Sequence, residues 1–208
     1  MKKILTIALT FLTITGFSQS FEGKITYQNT YKSKIPNVSD EQLTIMMGSN
    51  QDYLIKGGDY KSITNGTMLL WQLYLNADNK LYSKMPDSDV ILWNDGTQYN
   101  DTVLSVELNK DAAEILGYRC DELILTCQSG IQKYYFNSKL GVDVSLFTKH
   151  LYGNWYDYLK LAKALPLKSV VDTEQFSFTS LATEVKAMKI DDGELKLPPN
   201  AKTAKSPY

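Results

Sequence analysis

The sequence predicts a mainly β, α+β protein: an antiparallel sheet of close-spaced strands with one short and one longer helix packed on it. Three observations predict this class. Apolar residues recur at period two in one segment after another. Turn-forming groups such as "MGSN", "KGGD", "TNGT", "NADN", "MPDSD" and "WNDGTQYND" separate those segments at short intervals, as a meander requires. One stretch, "GNWYDYLKLAKALP", carries instead the period of an amphipathic helix.

The chain opens with "MKKILTIALTFLTITGFSQS", in which Lys2 and Lys3 precede an uncharged run from Ile4 to Phe17. This is the layout of a secretory signal peptide, with cleavage expected after Ser20. The run is shorter than the roughly 20 residues a helix needs to cross a bilayer core, which argues against an uncleaved anchor. No Cys lies near the junction to accept a lipid. The mature chain is expected to be soluble in a periplasm or secreted, with no transmembrane segment. Residues 21–190 read as a single domain and residues 191–208 as a mostly irregular tail.

The first strand is "FEGKITYQN": Phe21, Gly23, Ile25 and Tyr27 take one face, and Glu22, Lys24, Thr26 and Gln28 the other. The same alternation returns in "QLTIMM" (Leu43, Ile45, Met47), in "QDYLIK" (Tyr53, Ile55) and in "TVLSVEL" (Leu104, Val106, Leu108). "NKDAAEILG" predicts the short helix, with Asn109 as N-cap and Gly117 as its stop. The longer helix places Trp155, Tyr158, Leu159, Ala162 and Leu165 on one face, between a capping Asn154 and a terminating Pro166. "LKSVVD", "QFSFTS" and "TEVKAMKI" then return to strand.

One segment breaks the alternation. From Met68 to Leu75 every residue but Gln72 is apolar or aromatic. As a strand it sets Leu69, Trp71, Leu73 and Leu75 on one face and Met68, Leu70, Gln72 and Tyr74 on the other. Apolar residues on both faces require cover on both faces. The helix around Trp155 can cover one side; the other is either filled core or the wall of an apolar cavity. A transmembrane barrel would also explain greasy strands, but the polar ending "NAKTAKSPY" and the intervening helix oppose it.

Composition removes several functions. Without the leader, 20 basic residues face 23 acidic ones, and Arg119 is the single arginine. Nucleic-acid binding needs a positive footprint, and none is present. Cys120 and Cys127 flank "DELILT", whose seven steps of extended strand span about 23 Å. Bridged Cα atoms lie about 4.4–6.8 Å apart. A continuous strand therefore predicts two buried thiols, whereas an intervening turn would permit a bridge. His150 is the only histidine, no "GxSxG" elbow is present, and the paired acids Asp87 with Asp89 and Asp191 with Asp192 sit in turn-like sequence. No catalytic residue, metal site or cofactor is expected.

The leader, the "FEGKITY" first strand, "EILGYRC" followed by an alternating "KYYF", and "TEVKAMKI" running into "LKLPPNAK" together resemble a secreted bacterial family of unknown function, the GLPGLI type. They also resemble the lipoprotein-carrier (LolA/LolB-like) superfamily. That resemblance implies a strongly curved antiparallel sheet, an incomplete β-barrel, with helices against its concave side and an apolar interior suited to acyl chains. The expected function is a soluble periplasmic carrier whose cavity takes an acyl chain or another hydrophobic ligand, free or on a lipidated protein. Met68, Leu70, Tyr74, Trp93, Trp155, Tyr158 and Leu159 are the residues expected to form its wall or lid. The alternative is a non-enzymatic envelope protein with a filled core that engages a protein partner through a sheet edge or surface patch.

Overall fold

The computed structural model describes residues 20–99 and 101–207. The expected leader therefore lies outside the described residues apart from Ser20, as do Asn100 and Tyr208. Among the described residues twelve strands build one sheet: β1 (Gly23–Ser33), β2 (Asn50–Lys56), β3 (Asp59–Thr64), β4 (Trp71–Leu75), β5 (Lys80–Lys84), β6 (Val90–Asp95), β7 (Val103–Ile115), β8 (Tyr118–Cys127), β9 (Gly130–Gly141), β10 (Ala164–Thr173), β11 (Phe176–Ala187) and β12 (Lys202–Lys205). Their order is β12-β6-β5-β4-β3-β2-β1-β11-β10-β9-β8-β7. Every neighbouring pair is antiparallel except β12 with β6. The sheet is curved and does not close, so β12 and β7 are free edges.

Two helices of eight residues each, α1 (Asp40–Met47) and α2 (Trp155–Ala162), accompany the sheet. The structure moves the short helix. "QLTIMM", expected as strand, lies within α1, because Ser39 and Gln42 form a reciprocal capping box and Asp40 and Glu41 sit in the first turn. "NKDAAEILG", expected as helix, is the far half of β7. Leu116 and Gly117 both adopt positive φ, 52° and 77°, as a two-residue hairpin turn into β8 demands. The glycine that resembles a helix stop is thus the second residue of a hairpin turn. A bulge between Asn109 and Ala113, with Asp111 at φ 52°, absorbs the acidic residues that imitate a first helical turn.

α2 lies where expected, but its ends differ. Asn154 occupies the N-cap position without a side-chain cap bond, and the helix stops at Lys163 in a left-handed conformation. Pro166 belongs to β10, where its carbonyl accepts a 2.7 Å bond from the Tyr27 hydroxyl.

Two apolar layers hold the sheet. On the concave face, Ile25, Tyr27, Tyr53, Ile55, Tyr60, Tyr74, Leu123, Leu125 and Tyr134 pack beneath Tyr158, Leu159 and Phe147. On the convex face, Leu73, Tyr82 and Ile91 are sealed by Ile190 and Leu195, with Trp71, Trp93 and Leu197 packed around them. The two-sided apolar character of β4 follows from this arrangement: Leu73 faces the outer layer and Tyr74 the inner one. The outer cover is the C-terminal segment from Ile190 onward, tied down where Lys56 Nζ donates to the Ile190 carbonyl at 3.1 Å and to Asp192 at 2.6 Å. β8 is continuous, and Cys120 and Cys127 at its two ends are free, buried thiols.

Candidate functional site

The concave face is not apolar throughout. Where α2 ends its cover, the inward positions of successive strands turn polar but stay uncharged: Ser169 on β10, Ser180 on β11, Asn29 on β1, Gln51 on β2, Ser62 on β3, Gln72 on β4 and Ser83 on β5. Cross-strand register aligns them, with Ser169 opposite Ser180, Ser180 opposite Asn29, Ser62 opposite Gln72, and Gln72 opposite Ser83. Directly opposed residues share a face of an antiparallel pair. Side-chain bonds knit the belt: Gln51 donates to Ser62 at 2.8 Å, Gln72 donates to Ser83 at 3.1 Å, and Asn29 reaches Gln51 at 3.5 Å.

Beside this belt is a cleft of about 140 Å³ lined by Tyr27, Gln51, Tyr53, Trp155, Pro166, Ser169, Phe178 and Ser180. No lining side chain carries a charge. Its walls are aromatic: Tyr53 stacks on Tyr60 at 5.1 Å, and Phe178 stacks on Tyr31 at 5.0 Å just beyond the belt. Two polar atoms of the lining residues, the Tyr53 hydroxyl and the Trp155 indole N–H, are buried without a hydrogen-bond partner in the protein, as is Asn29 Oδ1 in the belt. A buried polar group left unpaired costs about 1–3 kcal/mol. Such atoms are not confined to the cleft: His150 Nδ1, Asn154 Oδ1 and Asp157 Oδ2 are buried without a partner as well. Burial raises the Tyr53 and Tyr27 hydroxyls well above the usual tyrosine range, so neither ionises near neutrality.

His150 lies behind the Tyr53–Tyr60 pair. It is buried, with Nε2 2.7 Å from the Tyr60 hydroxyl, and its ring stacks on Tyr74 at 4.0 Å and on Tyr60 at 5.8 Å. Burial lowers its pKa to about 3, which keeps the imidazole neutral. Its side-chain partner is a tyrosine rather than a carboxylate, and Ser145 and Asp143 bond each other on the surface at 2.6 Å. These three side chains do not assemble as a triad. Among the described residues no group of three His, Cys, Asp or Glu could hold a metal ion.

The residues expected to form one cavity wall occupy several places. Trp155 lines the cleft. Tyr158 and Leu159, one turn further along α2, are fully buried core, and the Tyr158 hydroxyl donates to the Ala164 carbonyl at 2.8 Å. Tyr74 is core on the same face, donating to Asn79 at 2.7 Å. Trp93 is on the convex face under Lys80, whose Nζ sits 4.2 Å from the ring centroid. Met68 and Leu70 precede β4 in an irregular connection and are 48% and 37% exposed. The residues that sequence reasoning missed are Tyr53, Phe178 and the belt. Their signal is a neutral polar residue on the inward face of each of several strands, which becomes visible only when register is known.

No family model matches the chain and no curated protein matches it, so the expected GLPGLI-type membership gains no support there. Solved structures do resemble it. A structure of PNGF-II superposes with a TM-score of 0.52 at 16% identity over 90% of this chain and 32% of that one, so this chain spans about a third of its length. An uncharacterized conserved protein from Thermus thermophilus gives 0.48 at 10% identity, covering 91% and 93% of the two chains. The Mycobacterium tuberculosis lipoprotein LppX gives 0.32 at 8% identity, covering 80% and 90%. The PNGF-II likeness is one of fold alone, and the other two superpose too loosely to carry an argument. Among the described residues no helix is long and apolar enough to cross a membrane.

Proposed function

We propose that this protein is a non-catalytic binding module of the cell envelope that holds a hydrophobic ligand, or the hydrophobic end of a larger one, in the cleft beneath Trp155. The observation that carries this reading is the cleft itself: a concave, aromatic-walled, charge-free site on the open face of the sheet. Its size sets the ligand. Drug-sized sites run to about 300–1,000 Å³, whereas an apolar cavity of about 150 Å³ accepts benzene. A cleft of about 140 Å³ therefore takes a ring-sized group or the terminus of a chain rather than a whole acyl chain. The absence of an ionised or near-neutral base among the lining residues supports binding over catalysis.

Titrating ¹⁵N-labelled protein with toluene tests this. The Trp155 indole N–H resonance should move saturably, Trp155→Ala should abolish saturation at the remaining cleft residues, and Leu70→Asp, outside the cleft, should change nothing. Shifts that grow linearly without saturation would contradict the proposal.

A second reading, an envelope interaction protein that works through its sheet edge, is favoured by β7. This edge strand exposes Leu104 at 66% and Val106 and Leu108 at 49% each. The opposite edge, β12, is four residues long with a lysine at each end, the usual protection of a strand edge. Crosslinking from intact envelopes should recover a partner through a photo-reactive group at Leu104 and lose it with Val106→Lys; recovery unaffected by that change would end this reading.

A further inference from the structure

We infer that the ligand whose apolar end enters the cleft carries a neutral, hydroxyl-rich body, a glycosyl group, and that the polar belt running from Gln51 to Ser83 receives it. The inference rests on the binding role proposed above and names the class of ligand that role serves. Its first support is where the sheet puts its charges. Every Lys, Asp and Glu within β1 to β5, β10 and β11 occupies a convex position: register sets Lys24 with Lys186, Lys32 with Ser177, Lys56 with Asp59, Lys61 with Leu73, Lys84 with Trp71 and Lys168 with Leu181. The concave positions of the same strands are all uncharged, and not only in the buried core, since Gln51, Gln72, Ser83 and Ser169 are part-exposed. A face that meets only water normally carries Lys, Asp or Glu. An ionic ligand entering here would shed water without meeting a counter-charge.

The second support is continuity. Gln51 belongs to both cleft and belt: it lines the cleft and donates to Ser62, which stands opposite Gln72, which in turn donates to Ser83. Gln72 is therefore two inter-strand steps of about 4.8 Å each from Gln51, within reach of a sugar joined to a ring beneath Trp155. The third support is hydrogen-bonding capacity that is open rather than sealed. The Ser169 and Ser180 hydroxyls in the cleft and Gln72 Oε1 along the belt have no partner in the protein and, unlike the Tyr53 hydroxyl, are not buried. Hydroxyls and carboxamides both donate and accept, as sugar hydroxyls do, whereas a hydrocarbon body would leave these groups unpaired. A peptide is the poorer fit, because peptides join a sheet through unpaired edge backbone, and every strand under the belt has a neighbour on each side.

Three probes that share one ring separate the possibilities: phenyl β-D-glucoside, phenyl β-D-glucuronide and toluene carry a neutral sugar, an anionic sugar and no sugar. Each is titrated into the full protein with the Trp155 indole resonance as readout. The glucoside is expected to bind about tenfold more tightly than either of the others, as a site that hydrogen-bonds its ligand discriminates against analogues lacking the group. Gln72→Leu combined with Ser83→Ala, both outside the cleft, is expected to erase most of that preference while leaving the toluene affinity within about twofold, which also shows that the variant is folded. Equal affinity for glucoside and toluene would overturn the glycosyl assignment while leaving a hydrophobic site intact. Glucuronide binding as tightly as glucoside would overturn it too, by showing that charge is accepted, and a preference that survives the double substitution would remove the belt from the site. Saturable binding of none of the three would remove both this inference and the role on which it rests.

Discussion

Tyr53 and His150 show how one aromatic stack can serve two ends. Tyr53, Tyr60, His150 and Tyr74 form a contiguous series of stacked rings at centroid distances of 5.1, 5.8 and 4.0 Å. Its inner members are structural and its outer member faces the cleft. The neutral His150 gives stability a pH dependence of definite sign. Its folded pKa, about 3, lies below the 6.5 of an unfolded histidine, so between those values the unfolded chain binds more protons. The associated stability is complete above about pH 6.5 and is lost as pH falls toward 3. Most carboxylates stay ionised down to about pH 5, so the interval from 6.5 to 5 isolates the histidine, and urea unfolding should register a loss of about 2 kcal/mol across it. His150→Phe keeps a ring in the stack and should flatten that interval. A wild-type curve already flat there would show that His150 is not buried as a neutral base. Trp155 was legible in the sequence because one residue on an amphipathic helix is visible without knowing its neighbours. Tyr53 and Asn29 were not, because their meaning depends on which strands stand beside β1 and β2.

At the level of elements, β1, β2, the near half of β7, β9, β10, β11 and α2 follow from pattern, since each keeps a single rhythm over most of that length. α1 and the far half of β7 exchange roles because two local signals conflicted. Leu43, Ile45 and Met47 alternate like a strand, yet the Ser39–Gln42 capping box dominates. The "LG" of a hairpin turn and the bulge at Asp111 imitate the stop and the acidic start of a helix. β7 also separates pattern from burial. Val106 and Leu108 stand opposite Leu125 and Leu123 on the same face, yet the former pair is half exposed and the latter buried. Period reports which face is apolar, whereas burial depends on what lies above it, and α2 packs over β8, β9 and β10. Leu123→Ala should therefore cost about 2–5 kcal/mol in chemical denaturation, as core truncations do. Leu108→Ala should cost under about 1 kcal/mol. Comparable losses would mean that β7 is covered in solution.

For the molecule as a whole, an open, curved sheet needs cover on two sides, and the chain supplies it from different places. α2 and the segment through Phe147 and His150 fill part of the concave side; the C-terminal segment seals the convex side over β4, β5 and β6. That segment, expected to be irregular, has little regular structure before β12 but is an integral part of the fold. Replacing Ile190 and Leu195 together by alanine should lower the unfolding free energy by roughly 1.5–3 kcal/mol for each side chain and raise binding of a hydrophobic dye as Leu73 and Tyr82 become accessible. Unchanged stability would show that the segment is undocked. Because the helix covers only part of the concave face, the remainder becomes a site, and the neutral belt marks the line where core gives way to cleft. The most direct test of that claim is a crystal of the protein soaked with bromobenzene and measured at the bromine absorption edge. The expected result is an anomalous peak between Trp155, Tyr53 and Phe178; bromine found only elsewhere, with side chains closing that space, would contradict the account.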